Sequence, residues 1–101
     1  MLALPLAAAA QETVTVAALG DSLTAGYGLP RDEGFVPTLE DWLAENGHAA
    51  EVINAGVSGD TTAGGLSRLD WTLTDEVDAL IVALGGNDVL RGIDPATSRA
   101  N

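Results

Sequence analysis

Residues 19–28, LGDSLTAGYG, are the stretch around which the rest of the chain is organised. They follow an apolar run, residues 13–19, which predicts a buried β-strand. A strand that ends at Asp21-Ser22 places a hydroxyl at the carboxyl edge of a sheet, where open α/β sheets bind ligands. Because residues 23–25 can begin a helix, backbone N–H groups near Ser22 would face an incoming oxyanion. Ser22 is therefore a candidate nucleophile; the alternative is that Asp21 and Ser22 are only cap and turn residues.

The composition limits the classes of partner. The chain has 101 residues, which suits one small domain or part of a larger one. Its net charge is −11, with four arginines and no lysine, so no basic patch is available to neutralise phosphates. We therefore expect no nucleic-acid partner and no attraction to anionic membrane surfaces. The absence of cysteine excludes disulfides and thiolate metal sites.

Residues 1–10, MLALPLAAAA, resemble the second half of a secretory signal, with an A-x-A cleavage site before Gln11. The segment is short and lacks a positive n-region, and the alternative is a buried or frayed N-terminal extension. Ten residues cannot span a bilayer, which takes about twenty, so no stable membrane insertion is expected. The sequence thus predicts a signal-like segment at 1–10, a domain over 11–101, and a periplasmic or secreted protein.

Apolar patterns along the rest of the chain predict an alternation of strands and helices. Strands are expected at 13–19, 50–54 and 78–84, and helices at 35–46 and about 62–72, with a further helix beginning at Asp94-Pro95. Pro37 suits the first turn of its helix, and Gly47 suits the position just after its end. This β-α-β-α-β order indicates a parallel sheet with right-handed crossovers, in which 78–84 has the continuous apolarity of a central strand.

Two features of the predicted helices bear on packing. Four apolar residues share one face of the first helix: Phe35, Leu39, Trp42 and Leu43. Their spacing predicts that Trp42 lies in the core. Gly64 and Gly65 weaken the start of the second helix by about 1 kcal/mol each relative to alanine, so we expect a close backbone approach to require them.

Each predicted strand ends in a loop of similar character: GDS at 20–22, NAGVSGD at 54–60 and GGND at 85–88. The carboxyl ends of parallel strands share one edge of a sheet, so these loops should converge on one site. The chemistry they suit is acyl transfer, in which Ser22 attacks a carbonyl carbon. The developing oxyanion would be bound by the backbone N–H groups of Ser22 and Gly59 and by the side-chain amide of Asn87.

The sequence resembles the GDSL, or SGNH, hydrolases. Three blocks match in order and spacing: LGDSLTAGYGL at 19–29, NAGVSGDTTAGGLSRL at 54–69 and ALGGNDVLRG at 83–92. The resemblance is greatest to the branch of secreted multifunctional thioesterase I/lysophospholipase L1 and arylesterase. It covers about residues 14–101, nearly everything after the signal-like segment.

The resemblance implies that Ser22 is the nucleophile, that Gly59 and Asn87 complete the oxyanion hole, and that no metal or cofactor takes part. It implies a small acyl ester or thioester as substrate. The implied fold is flavodoxin-like: a three-layer α/β structure with a five-stranded parallel sheet in the order 2-1-3-4-5, of which this chain holds the first three strands in the order 2-1-3. The aspartates of the three loops are expected to fix the loops rather than catalyse: Asp21, Asp60 and Asp88.

The family's Asp-x-x-His block, which supplies the general base and its orienting carboxylate, has no match in these 101 residues. The only histidine, His48, follows the first helix, so we expect it at the amino edge of the sheet, far from Ser22. We therefore expect a truncated hydrolase domain that is inactive by itself, because a serine without its base is a weak nucleophile. Two functions remain: a serine ester or thioester hydrolase, or an inactive fragment or pseudoenzyme that keeps only an anion- or acyl-binding loop edge.

Overall fold

The computed structural model describes residues 12–101 of the chain. Its strands are β1 (Val14–Gly20), β2 (Ala50–Gly56) and β3 (Ala79–Ala83). Its α-helices are α1 (Ser22–Ala25), α2 (Phe35–Glu45), α3 (Thr62–Ser67), α4 (Leu69–Thr72), α5 (Gly86–Leu90) and α6 (Pro95–Ala100), and a 3-10 helix covers Arg31–Glu33. The signal-like segment predicted at 1–10 lies outside the described residues. In the described part of the chain, no helix has the length and apolarity needed to cross a membrane.

The three strands form one parallel sheet in the order β2-β1-β3. Leu19 pairs with Ala55 on one side and with Val82 on the other, so the strands reach the same edge together. The predicted α/β fold with strand order 2-1-3 is confirmed. Within residues 12–101 the central strand is β1 rather than β3, because the chain crosses back over β1 between β2 and β3.

The core lies between β1, β2 and one face of α2. Ala18 of β1, Val52 of β2 and Val36 of α2 are buried together, and Leu39 and Leu43 pack against them. α2 packs mainly against β2 and reaches β1 through the contact of Val36 with Ala18.

The prediction that Trp42 lies in the core is wrong. Trp42 is 54% exposed, whereas Val36, which the predicted apolar face omitted, is 6% exposed. The face of α2 that packs on the sheet is the one that buries Val36 and brings Glu40 to the edge strand, where the backbone N–H of Val52 donates to Glu40 Oε2 over 2.9 Å. An edge strand leaves such N–H groups unpaired, and the Glu40 carboxylate satisfies this one. With Val36 and Glu40, one turn apart, both on the face towards the sheet, Trp42 lies on the outer side of α2.

The single helix predicted over 62–72 is two short helices, α3 and α4. They meet at Arg68, which ends α3 and begins α4 with φ −113° and ψ 8°, outside helical geometry. The helix ends predicted at Gly47 and Asp94 agree with the structure. Gly47 follows α2 with φ +82°, and Asp94 accepts the Ala96 N–H over 2.9 Å with Pro95 as the first residue of α6. Local cap patterns are therefore sufficient to predict these two helix ends, whereas no local pattern predicts the break at Arg68.

Candidate active site

Three segments meet at the carboxyl edge of the sheet, as the sequence predicts: loop 1 (20–22) at the end of β1, loop 2 (54–60), whose first three residues are the end of β2, and loop 3 (85–88) after β3. The Val57 N–H donates to the Gly20 carbonyl over 3.0 Å and joins loop 2 to loop 1. The side-chain amide of Asn87 donates to the Asp60 carbonyl over 2.9 Å and joins loop 3 to loop 2. The residues predicted for the site therefore belong to one connected group of loops.

Ser22 is the first residue of α1, a single helical turn that begins where β1 ends. Asp21 caps this turn, with its Oδ1 accepting the Leu23 N–H over 2.9 Å. A β-carbon at Gly56 would overlap the backbone nitrogen of Ala25, so the end of the neighbouring strand must be glycine for α1 to sit against it. Ser22 is thus half-buried and fixed at the edge of the sheet.

Gly59 lies in the turn of loop 2 in the left-handed conformation, with φ +82°. The Asp60 N–H closes this turn on the Val57 carbonyl over 3.1 Å. A β-carbon at Gly59 would meet nothing within 4 Å, so the backbone conformation, not crowding, favours glycine here. Within residues 12–101, neither the Gly59 nor the Ser22 backbone N–H donates a hydrogen bond, and both remain free to bind a ligand oxygen.

Asn87 lies in the first turn of α5, so loop 3 is partly helical rather than the plain loop that the sequence predicts. Its amide nitrogen carries two hydrogens, and one of them is used on the Asp60 carbonyl. One turn further along, Arg91 donates to the Gly59 carbonyl over 3.0 Å. Asn87 and Arg91 therefore hold the two carbonyls at the tip of loop 2, those of Asp60 and Gly59. The second amide hydrogen of Asn87 has no acceptor among residues 12–101.

The loop aspartates hold backbone and side chains in place, which agrees with the loop-fixing role expected for them. Asp60 accepts the Thr61 N–H over 3.0 Å and pairs with Arg68, whose Nη2 lies 2.7 Å from its Oδ2. Asp88 is 2% exposed. Its carboxylate accepts hydrogen bonds from the Ser98 hydroxyl over 2.6 Å, and from the Thr62 hydroxyl and N–H over 2.5 and 2.8 Å.

These hydrogen bonds lower the pKa of Asp88 below its ordinary value of 3.8, with the Ser98 hydroxyl contributing most and Thr62 next, against an opposing effect of burial. A carboxylate that accepts several hydrogen bonds is favoured in its ionised form. Asp88 is therefore an ionised anchor that ties α5 to α3 and α6, next to Asn87.

Arg68 is the residue of this region that sequence analysis did not single out. Its side chain is only 17% exposed. The guanidinium donates to the Ala55 carbonyl over 2.8 Å, to the Gly20 carbonyl over 3.0 Å and to Asp60 Oδ2 over 2.8 Å. No local pattern signals this role, because the partners lie between 8 and 48 residues away along the chain.

The paired glycines of α3 have the close approaches that the sequence predicts. A β-carbon on Gly64 would overlap Asp60 Oδ1, and one on Gly65 would overlap Leu84 Cδ1. Gly64 therefore leaves the space in which Asp60 meets Arg68.

Comparison with known proteins agrees with this geometry. Residues 18–101 match the sequence model described as the GDSL-like Lipase/Acylhydrolase family. The chain belongs to this family. It is 46% identical over 101 residues to the esterase TesA of Pseudomonas aeruginosa, covering 99% of this chain and 50% of that protein. It is 42% identical over 97 residues to an arylesterase of Vibrio mimicus, covering 95% of this chain and 48% of that protein.

Solved structures of GDSL-like hydrolases share the fold. AlinE4, an SGNH-hydrolase family esterase, superimposes with a TM-score of 0.84 at 47% identity, over 91% of this chain and 50% of that chain. The psychrotrophic esterase EstA from Pseudoalteromonas sp., in a structure inhibited by monoethylphosphonate, superimposes with a TM-score of 0.77 at 39% identity, over 85% of this chain and 48% of that chain. The chain spans about half the length of the curated relatives it matches.

His48 lies away from the three loops. It is exposed, and it sits between the end of α2 and the start of β2, where its N–H donates to the Leu43 carbonyl over 2.8 Å. That is the amino edge of the sheet, opposite Ser22, as predicted. Within residues 12–101, no group of three or more His, Cys, Asp or Glu side chains is placed to hold a metal ion.

Proposed function

We propose that the protein is a serine ester or thioester hydrolase that works by acyl transfer through Ser22. The observation that carries the proposal is the meeting of the three loops, which brings Ser22 to the edge of the sheet together with Gly59 and Asn87. Within residues 12–101, the backbone N–H groups of Ser22 and Gly59 donate no hydrogen bond, and one hydrogen of the Asn87 amide is available to a ligand. Such preorganised donors are what an oxyanion hole requires.

In the proposed reaction, Ser22 Oγ attacks the acyl carbonyl carbon while its proton passes to a general base. The carbonyl oxygen becomes an oxyanion, which the donors of Ser22, Gly59 and Asn87 stabilise. Collapse of this intermediate expels the alcohol or thiol, which takes up the proton, and water then hydrolyses the acyl-enzyme by the same steps. We assign the base to the Asp-x-x-His block that the family resemblance implies, because His48 lies at the opposite edge.

The names of the relatives support this substrate class. They include an esterase, an arylesterase and a thioesterase 1/protease 1/lysophospholipase L1. A small acyl ester or thioester is therefore the proposed substrate of this chain's complete gene product. The 101-residue chain itself is proposed to be inactive, since it holds no Asp-x-x-His block; as such, it would retain only a loop edge that binds an anion or an acyl group.

The experiment compares the complete gene product with its Ser22→Ala variant, using a p-nitrophenyl ester and a serine-directed phosphonate. Wild type should hydrolyse the ester and take up one phosphonate per molecule, and Ser22→Ala should do neither. Ser67→Ala is the matched control, because Ser67 is an exposed serine that donates to the Gly64 carbonyl over 2.7 Å. It should leave both signals unchanged, as should His48→Ala.

Two results would contradict the proposal. One is full activity in Ser22→Ala. The other is activity of the 101-residue chain that disappears with His48→Ala, which would mean that the base comes from the wrong edge of the sheet.

We also propose that the enzyme is exported to the periplasm or secreted. The support is the alanine-rich segment at residues 1–10, which precedes the polar pair Gln11-Glu12 as a signal segment precedes a mature chain.

A further inference from the structure

We propose that Arg68 is a positioning residue that sets the separation between Ser22 and the Gly59 amide; this inference rests on the proposed function. Its guanidinium lies between the ends of β1 and β2 and reaches both. It donates to the Gly20 carbonyl, two residues before Ser22, and to Asp60, the residue after Gly59.

Only an arginine can make this set of contacts from one side chain. The planar guanidinium presents its donors in a fixed fork, so Nη1 reaches the Ala55 carbonyl, Nη2 the Gly20 carbonyl, and Nε the carboxylate of Asp60. A lysine ammonium is a single point charge and cannot span acceptors on two strand ends and a loop at once. Substituting lysine therefore keeps the charge while removing the fixed spacing.

The surrounding structure is arranged to keep the fork in place. The side chains of Arg68 and Asp60 are 17% and 12% exposed, so the ion pair is shielded from water. Gly64 provides the space for the Asp60 carboxylate, since a β-carbon at that position would overlap Oδ1. The helix is interrupted at Arg68 itself, between α3 and α4.

The expected effect is on turnover rather than on substrate binding. An oxyanion donor acts mainly in the transition state, and a displacement of about 1 Å can cost about a hundredfold in rate. Arg68→Lys should therefore lower kcat by roughly tenfold to a hundredfold while changing KM by less than about threefold.

The experiment measures kcat and KM of the complete gene product per phosphonate-reactive site, well below the unfolding temperature of each variant. Counting reactive sites removes any loss that comes only from unfolded protein. Arg99→Lys is the matched control, because Arg99 is exposed in the last turn of α6. Arg99→Lys should match wild type in both constants.

Two further variants keep the test decisive if Arg68→Lys folds poorly. Asp60→Asn should lower kcat per reactive site in the same direction, because it removes the charge that holds the guanidinium. Arg68→Ala should regain part of its kcat when ethylguanidinium is added, whereas Arg99→Ala should not respond.

The proposal would be overturned if Arg68→Lys had the same kcat per reactive site as wild type. If only Asp60→Asn folds, the same result in that variant would overturn it. Two other results would also overturn it. One is an Arg68→Lys variant in which KM rises and kcat is unchanged. The other is an Arg68→Ala variant in which ethylguanidinium restores the unfolding temperature but not kcat. Each of these results leaves the proposed function standing as long as Ser22→Ala is inactive and unlabelled.

Discussion

Replacing Asn87 by alanine tests whether its amide serves the reaction or only the fold. The side chain has two N–H donors; one is spent on the Asp60 carbonyl over 2.9 Å, and the other has no acceptor within the described residues 12–101. Alanine removes both. The resulting loss of stability and loss of turnover have different sizes and appear in different measurements, so they can be separated.

The structural loss should be small. One hydrogen bond contributes about 1 kcal/mol to stability, and alanine recovers roughly 0.6 kcal/mol of it, because it is the better helix former in the first turn of α5. The free energy of unfolding should therefore fall by about 0.4 kcal/mol. The catalytic loss should be much larger: removal of one oxyanion donor costs about a hundredfold to a thousandfold in kcat, or roughly 2.7 to 4 kcal/mol.

The assay is steady-state hydrolysis of a p-nitrophenyl ester by the complete gene product, alongside urea unfolding and phosphonate labelling. Asn87→Ala should still take up one phosphonate on Ser22. Asn46→Ala is the matched control, because Asn46 makes a similar bond to the Trp42 carbonyl over 2.8 Å at the opposite edge of the sheet. The Asn46→Ala variant should show a similar decrease in the free energy of unfolding and no decrease in kcat. A kcat for Asn87→Ala within threefold of wild type would refute the oxyanion role of Asn87.

The remaining predictions concern acid stability and export. Asp88 has a lowered pKa, so its contribution to stability is complete above the ordinary pKa of an aspartate, 3.8, and is lost as the pH falls from there through the folded value. The free energy of unfolding, measured with urea from pH 6 to pH 2, should fall less steeply below pH 4 for Asp88→Asn and for Ser98→Ala than for wild type. Curves parallel to that of wild type would contradict this. For export, protein expressed from its natural gene and recovered from the periplasm or medium should begin at or near Gln11, and N-terminal mass analysis that finds Met1 there would rule out cleavage.

Much of the site could be predicted because its parts are local. The strand that ends at Gly20, just before Ser22, the glycine-containing loop that holds Gly59 and the cap at Asp94 each depend on a few neighbouring residues. The convergence of the loops followed from strand order, because parallel strands place their carboxyl ends at one edge. The same topology placed His48 at the opposite edge.

What failed to be predicted depends on partners distant in sequence. The helical spacing of apolar residues in α2 allowed two faces that share Leu39 and Leu43. The face that packs on the sheet buries Val36 and brings Glu40 to the Val52 N–H, and it leaves Trp42 outside. The anchor at Asp88 likewise needs Thr62, 26 residues away, to lie beside it.

The sequence by itself determined the parallel α/β class, the order of its elements and the candidate residues Ser22, Gly59 and Asn87, because periodicity, glycines and caps act over a few residues. Only the tertiary structure decided the rotation of α2, the break between α3 and α4, and the role of Arg68. The physical reason is that a buried guanidinium is stable only where several acceptors converge, and those acceptors are carbonyls and a carboxylate brought together by the packing of β1, β2 and loop 2.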